Sequence, residues 1–157
     1  MMKQQIINKV IEHLKQELTA ISAAAKAAHS AAIDEQSIAE TQYDTLAIEA
    51  SYLAQGQSLR AQQLNQAINQ IKSLSLATSN KVTLGSLVHL EQAEQGTQWF
   101  MILPAAPGFR CTIEQQEITV ITPDSPVGKS LQGKQIDDEI TLQLGTRKVS
   151  AEIIQLR

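Results

Sequence analysis

The sequence predicts an α+β protein in which a long antiparallel helical hairpin precedes a small β-sheet domain with one short helix. The first observation behind this prediction is a change of composition near residue 75. All four prolines, and every glycine except Gly56, follow that point. Helix formers therefore give way to strand and turn formers. We expect the hairpin over residues 1–75, a linker over 76–81 and the sheet domain over 82–157.

The second observation is a heptad pattern in the first half. Apolar residues recur at alternating steps of four and three, which places them on one helix stripe: Ile7, Ile11, Leu14, Leu18, Ile21, Ala25, Ala28 and Ala32. A second stripe has a polar middle: Leu46, Ala50, Leu53, Gln57, Arg60, Leu64, Ala67, Ile71 and Leu74. Antiparallel pairing would bring the large aliphatic ends together and leave the small ends beside a turn, which we place within residues 34–44.

The second half is typical of short strands separated by turns. We expect strands at Val82–Leu90, Gln98–Leu103, Phe109–Ile113, Glu117–Thr122, Glu139–Leu144 and Lys148–Leu156. The first two should pair around a turn that Gly96 permits, and the last two should form a closing hairpin about Gly145. Between them, Ser125–Leu131 predicts one short helix, with Ser125 as its N-cap and Pro126 in its first turn.

Composition excludes several classes of protein. A net charge of −3 argues against binding through a nucleic-acid backbone, which needs clustered Lys and Arg. The single cysteine, Cys111, permits no internal disulfide and fits a reducing compartment. We find no apolar run long enough for a signal peptide or a membrane span, so we expect a cytoplasmic protein without membrane contact. Nucleotide-loop, hydrolase and metal-site motifs are also missing from the sequence.

The strongest functional indication is the charge pattern around the predicted turn. Between Lys26 and Arg60 the chain has no lysine or arginine, while the interval contains Asp34, Glu35, Glu40, Asp44 and Glu49. Carboxylates concentrated at the tip of a thin hairpin repel one another, and they suit a cationic target: a divalent metal or a basic channel. The alternative is a solvated turn that happens to lack lysine.

A resemblance to a known family rests on residues 119–139, TVITPDSPVGKSLQGKQIDDE. This stretch resembles the C-terminal signature of the Gre transcription elongation factors: a strand, a helix beginning Ser-Pro, then Gly-Lys and an acidic turn that enters the last hairpin. The chain length and the N-terminal hairpin of about 75 residues agree with the family.

The resemblance implies a mechanism that acts on bacterial RNA polymerase. In it, an FKBP-like sheet domain docks on the rim of the polymerase secondary channel, through a loop that corresponds here to Pro123, Asp124, Ser125 and Pro126. The hairpin enters the channel, and its tip carboxylates help to bind the second active-site Mg²⁺. The polymerase then hydrolyses the 3′ end of a backtracked nascent RNA. The factor is a monomer that is not itself an enzyme and holds no cofactor stably.

The tip departs from the family pattern. The segment from Glu40 to Asp44 is one residue shorter than usual, and Ser37 stands where an acid is expected. Glu40 and Asp44 are the best substitutes as catalytic and metal ligands, with Asp34 and Glu35 behind them.

Three functions therefore remain open on the sequence. The chain is a cleavage-stimulating factor, a Gre-like paralogue that occupies the channel and modulates transcription without cleavage, or an interaction module or prolyl isomerase. An isomerase needs an aromatic-lined pocket, for which the second half offers only Trp99 and Phe109.

Overall fold

The computed structural model describes the backbone of residues 2–38 and 44–157, and the side chains of residues 2–24, 26–27, 30, 55–143 and 145–157. Two long helices come first, α1 (Met2–Ile38) and α2 (Asp44–Lys72). The remaining elements are β1 (Leu87–Gln92), β2 (Gly96–Ile102), β3 (Arg110–Ile113), β4 (Gln116–Ile121), α3 (Pro126–Leu131), β5 (Glu139–Leu144) and β6 (Arg147–Leu156). The predicted α+β class is confirmed.

The chain divides into two compact units. A sheet unit comprises Met1–Ile11 and Gln70–Arg157, and a helical unit comprises Glu12–Asn69.

The helical unit contains α1 from Glu12 onward and α2 as far as Asn69. Leu14 and Leu64 are buried in it, as the heptad stripes predict, and so is Ile68, which stands next to the second stripe rather than on it. Arg60 Nη2 lies 2.9 Å from Glu17 Oε1. Glu17 lies about as far before the end of α1 as Arg60 lies after the start of α2. Contact between residues placed in this way means that the two helices run antiparallel. The ion pair also explains why the middle of the second stripe is polar: Arg60 meets a glutamate on the facing helix.

The six strands of the sheet unit form one sheet in the order β3-β4-β2-β1-β6-β5. The predicted hairpin of β1 and β2 is confirmed, with Val88 opposite Phe100 and a turn that ends at Gly96, whose φ is +77°. The closing hairpin of β5 and β6 is also confirmed. Every neighbouring pair is antiparallel except β2 and β4, which run parallel.

One face of the sheet packs against α3. Because side chains alternate along a strand, every second residue of each strand faces the same core. Leu131 from α3 and Val82 from the segment before β1 complete this core. Its other buried members are Val88, Leu90, Phe100, Ile102, Ile121, Ile140, Leu142, Ala151, Ile153 and Leu156.

The opposite face of the sheet is buried as well. Leu87 and Met101 are fully buried although they point away from α3, and Ile6 and Val10 of α1 are equally inaccessible. Lys9 Nζ donates a hydrogen bond to Thr112 O at 3.4 Å, which brings the first turns of α1 beside β3. The first turns of α1 therefore contribute to the sheet unit.

The strand predicted at Val82–Leu90 is wrong in its first half, since β1 begins only at Leu87. Val82 instead exchanges backbone hydrogen bonds with the segment after α3: its N–H donates to Lys134 O at 2.8 Å, and its C=O accepts from Gly133 N at 3.0 Å. A turn at Gly85, with φ of +90°, then separates it from β1. A positive φ cannot continue a strand, which is the physical reason for the later start.

Candidate functional site

The predicted docking loop lies between the end of β4 and the start of α3. A turn closes it, because Ser125 N donates to Thr122 O at 3.1 Å. The hydroxyl of Ser125 donates to the same carbonyl at 2.7 Å. Pro123 and Pro126 restrict φ on either side of Asp124. Asp124 and Pro126 are exposed, and Pro123 and Ser125 are half-buried, so the loop presents its surface to solvent in a restrained conformation.

Ser125 links this loop to the helix that follows. Its backbone is extended (φ −67°, ψ 158°) and its Oγ accepts a hydrogen bond from Gly128 N at 3.0 Å. This is the N-cap that the sequence predicts, and Pro126 stands in the first turn as expected. A serine cap contributes about 1 kcal/mol to helix stability. The same side chain therefore fixes both the loop and the start of α3.

Gly128 is a structural requirement that the sequence analysis missed. A Cβ at this position would lie 2.1 Å from Thr122 O and 3.0 Å from Ser125 Oγ. The first of these atoms belongs to the backbone that closes the docking loop, so it has little room to move. A glycine inside a short helix was the available signal, because glycine costs about 1 kcal/mol there relative to alanine.

Asp124 carries the negative charge of the loop. A hydrogen bond from the Thr122 side chain lowers the pKa of its carboxyl below the ordinary value, and a hydrogen bond from its own backbone amide acts in the same direction. Lys129 adds a smaller favourable charge interaction. Asp124 is therefore ionised at neutral and mildly acidic pH, and it offers an anion to a cationic partner.

The predicted tip carboxylates are not brought into a described site. Asp34 and Glu35 lie in the helical backbone of α1, and Asp44 is the first residue of α2, but their side chains lie outside the described residues. Glu40 lies wholly outside them. The magnesium ligation expected of Glu40 and Asp44 therefore stays a prediction. Across residues whose side chains are described, no group of three or more His, Cys, Asp or Glu is arranged to hold a metal ion.

An aromatic cluster on the sheet face opposite α3 was also missed. The rings of His89 and Trp99 stack at a centroid distance of 4.0 Å and an angle of 7°. The Arg157 guanidinium carbon lies 5.4 Å from the Trp99 ring centroid. Burial, and then the positive charge of Arg157, lower the pKa of His89, whereas Glu91 opposes the shift. The cross-strand register of β1 and β2 produces this pair, which a reading of either strand alone does not reveal.

Cys111 is half-buried on β3. Burial raises its pKa, although Lys9 acts in the opposite direction. A raised pKa leaves less of the thiol as thiolate, its nucleophilic form, at neutral pH. Within the described ranges, no helix has both the length and the apolar character of a membrane span.

Several solved structures are similar to this chain at low sequence identity. Gfh1 of Thermus aquaticus is 18% identical with a TM-score of 0.40, over 98% of this chain and 93% of that one. The GreA factor homolog Gfh1 of Thermus thermophilus is 19% identical with a TM-score of 0.39, over 94% of both chains. A GreA/GreB elongation factor of Nitrosomonas europaea is 15% identical with a TM-score of 0.34, over 59% of this chain and 78% of that one.

The family assignment has a separate basis in the sequence. No curated protein sequence matches the chain significantly. The family model for the C-terminal domain of the transcription elongation factors GreA/GreB, however, matches residues 77–157. This range contains the docking loop, α3 and the whole sheet, and it is more than half of the chain. The chain therefore belongs to the GreA/GreB family and is a Gre-like transcription elongation factor.

Proposed function

We propose that this protein binds bacterial RNA polymerase at the rim of the secondary channel through the loop of residues 123–126. The observation that carries the proposal is the construction of that loop. A turn and an N-cap hold it, two prolines restrict it, and it exposes an ionised Asp124. A preorganised loop loses little conformational entropy on binding, and a fixed anion favours a basic partner surface.

The hairpin formed by α1 and α2 then enters the channel, so that its acidic tip reaches the polymerase active site. There Glu40 and Asp44, supported by Asp34 and Glu35, help to hold the second Mg²⁺, which activates a water for hydrolysis of the backtracked RNA. The polymerase performs the cleavage and this chain supplies ligands in trans. The support for this step is the acid-rich, lysine-free interval between Lys26 and Arg60.

The docking step is tested by removing the loop charge without changing its shape. Asp124→Asn should weaken binding to RNA polymerase, while the melting temperature stays at the wild-type value because Asp124 is exposed. Asp137→Asn is the matched control: Asp137 is also an exposed aspartate of the sheet unit, and its φ of +73° suits asparagine. Equal affinity of Asp124→Asn and wild type would place the contact elsewhere on the surface.

The cleavage step is tested on a stalled, backtracked elongation complex. Loss of one group from such an electrostatic site costs about 10²–10³-fold in rate, so Glu40→Gln and Asp44→Asn should slow cleavage to that extent and leave docking intact. Added Mg²⁺ should restore part of the rate, because mass action repopulates a weakened metal site. Full cleavage by both variants would remove these residues from the mechanism.

A second candidate is a Gre-like paralogue that occupies the channel and modulates or inhibits transcription without cleavage. Two observations favour it. The tip is shortened and has Ser37 where the resemblance leads us to expect an acidic residue. This chain also has few basic residues along the hairpin that could hold RNA. The same assay separates the two functions. A wild-type protein that binds the polymerase, slows elongation and stimulates no cleavage at any Mg²⁺ concentration is the paralogue.

A further inference from the structure

Lys3 connects the first turn of α1 to the segment that follows α2. Its ammonium donates a hydrogen bond to Leu76 O at 3.3 Å. The same segment packs closely on the sheet unit, because a Cβ built on Gly85 would lie only 2.8 Å from Ser75 O. Lys3, Leu76 and Gly85 all belong to the sheet unit. Lys3 therefore ties the start of α1 to the segment through which the chain enters the sheet.

The amine of Lys3 lies in a half-buried position without an anionic partner. Lysines are mostly exposed in folded proteins, so even partial burial is uncommon for this residue. Of the side chains that the structure describes, no carboxylate forms an ion pair with Lys3. Burial lowers the pKa of Lys3 below the ordinary value of a lysine, and no neighbouring anion opposes that shift. A larger share of this amine is therefore uncharged at neutral pH.

Lys9 provides an internal comparison on the same helix. Its Nζ also donates to a backbone carbonyl of the sheet unit, Thr112 O, at 3.4 Å. Lys9 is exposed, however, whereas Lys3 is half-buried. The two amines therefore have the same kind of partner and differ in their solvation. Only an uncharged amine has a free electron pair, so the amine that burial deprotonates more readily is the better nucleophile at neutral pH.

We propose that Lys3 is a site of Nε-acylation by small acyl phosphates, and that acylation weakens the tie to Leu76. The uncharged Nζ attacks the acyl carbon, an N–C bond forms, and the C–O bond to phosphate breaks. Phosphate leaves with the electron pair of that bond, and the nitrogen loses one proton to water. The product amide has no charge, so a hydrogen bond to Leu76 O is no longer charge-assisted. Neither residue belongs to the docking loop, and the inference is independent of polymerase binding.

The test is acetylation of the full-length protein with acetyl phosphate, followed by mass spectrometry of its peptides. We expect Lys3 to be acetylated faster than Lys9 at neutral pH. In guanidinium chloride the ratio of the two rates should fall to about one, because lysines of the unfolded chain share the same ordinary pKa. Equal or faster acetylation of Lys9 in the folded protein would overturn the proposal, and so would a rate ratio that unfolding leaves unchanged.

Three variants test the effect on the tie. Lys3→Gln imitates the uncharged acylated side chain, and Lys3→Arg keeps the charge and the hydrogen-bond donors without the reactive amine. Subtilisin should cut within residues 73–81 about threefold faster in Lys3→Gln, as expected for loss of one partly solvated charge-assisted bond. Lys3→Arg, and Lys9→Gln as the matched control for lost charge on α1, should be cut at the wild-type rate. A wild-type rate of cutting in Lys3→Gln would overturn the proposed effect of acylation.

Discussion

Replacement of Gly128 by alanine isolates the packing requirement beneath the docking loop. The new Cβ would lie 2.1 Å from Thr122 O, far inside van der Waals contact. That carbonyl accepts hydrogen bonds from both the backbone N–H and the hydroxyl of Ser125. To accommodate the methyl group, either α3 must move away from the end of β4 or the turn must open. Both changes weaken contacts that hold the loop.

The expected size of the effect follows from two opposing contributions. Overpacking against a restrained backbone atom costs about 1–3 kcal/mol. Alanine is favoured over glycine within a helix by about 1 kcal/mol, which offsets part of that cost. We expect a net loss of about 1–2 kcal/mol, which for a chain of this size lowers Tm by roughly 2–8 °C. Affinity for RNA polymerase should fall as well, since the loop no longer has its preorganised conformation.

The assay is thermal and urea denaturation of the full-length protein, followed by polymerase binding at a temperature where the variant is folded. Gly56→Ala is the matched control, because nothing lies within 4 Å of a Cβ placed on that exposed position of α2. It should raise stability by about 0.5–1 kcal/mol. The two substitutions should therefore change the free energy of unfolding in opposite directions. A Gly128→Ala protein as stable as wild type would refute the steric argument.

Three further predictions concern other parts of the chain. Ser125→Ala should destabilise α3 by about 1 kcal/mol through loss of the Gly128 cap, whereas Ser125→Thr, which keeps the hydroxyl, should retain most of that stability in the same urea titration. Since the pKa of His89 is lowered from 6.5 in the folded state, the unfolded chain takes up a proton first. The contribution of His89 to the free energy of unfolding is then constant above pH 6.5 and falls as the pH drops below that value. Urea midpoints measured across this range should decline less for His89→Phe than for wild type. An equal decline for both proteins would exclude His89 as its origin. The exposed pair of Glu17 and Arg60 should contribute no more than about 1 kcal/mol to a double-mutant cycle built from Glu17→Gln and Arg60→Gln. A larger coupling energy would mean that solvent does not screen the pair as its exposure suggests.

The features that the sequence predicted correctly are local. The N-cap at Ser125 follows from a serine placed directly before a proline and a short apolar run. The turn at Gly96 follows from a glycine between two strand-like segments. The sequence analysis did not predict the late start of β1, because the strand-like segment from Val82 to Leu90 continues across Gly85. The interruption before β1 depends on backbone hydrogen bonds between Val82 and a segment about fifty residues later in the chain.

The sequence by itself determined the α+β class, the two heptad stripes, the capped loop and the family, because periodicity, caps and turn residues act over a few neighbouring positions. Only the tertiary structure decided that β2 and β4 run parallel and that Gly128 has no room for a side chain. It also decided that the first turns of α1 belong to the sheet unit. These features depend on which distant surfaces meet, and the free energy of such contacts is not encoded in any single stretch of the chain.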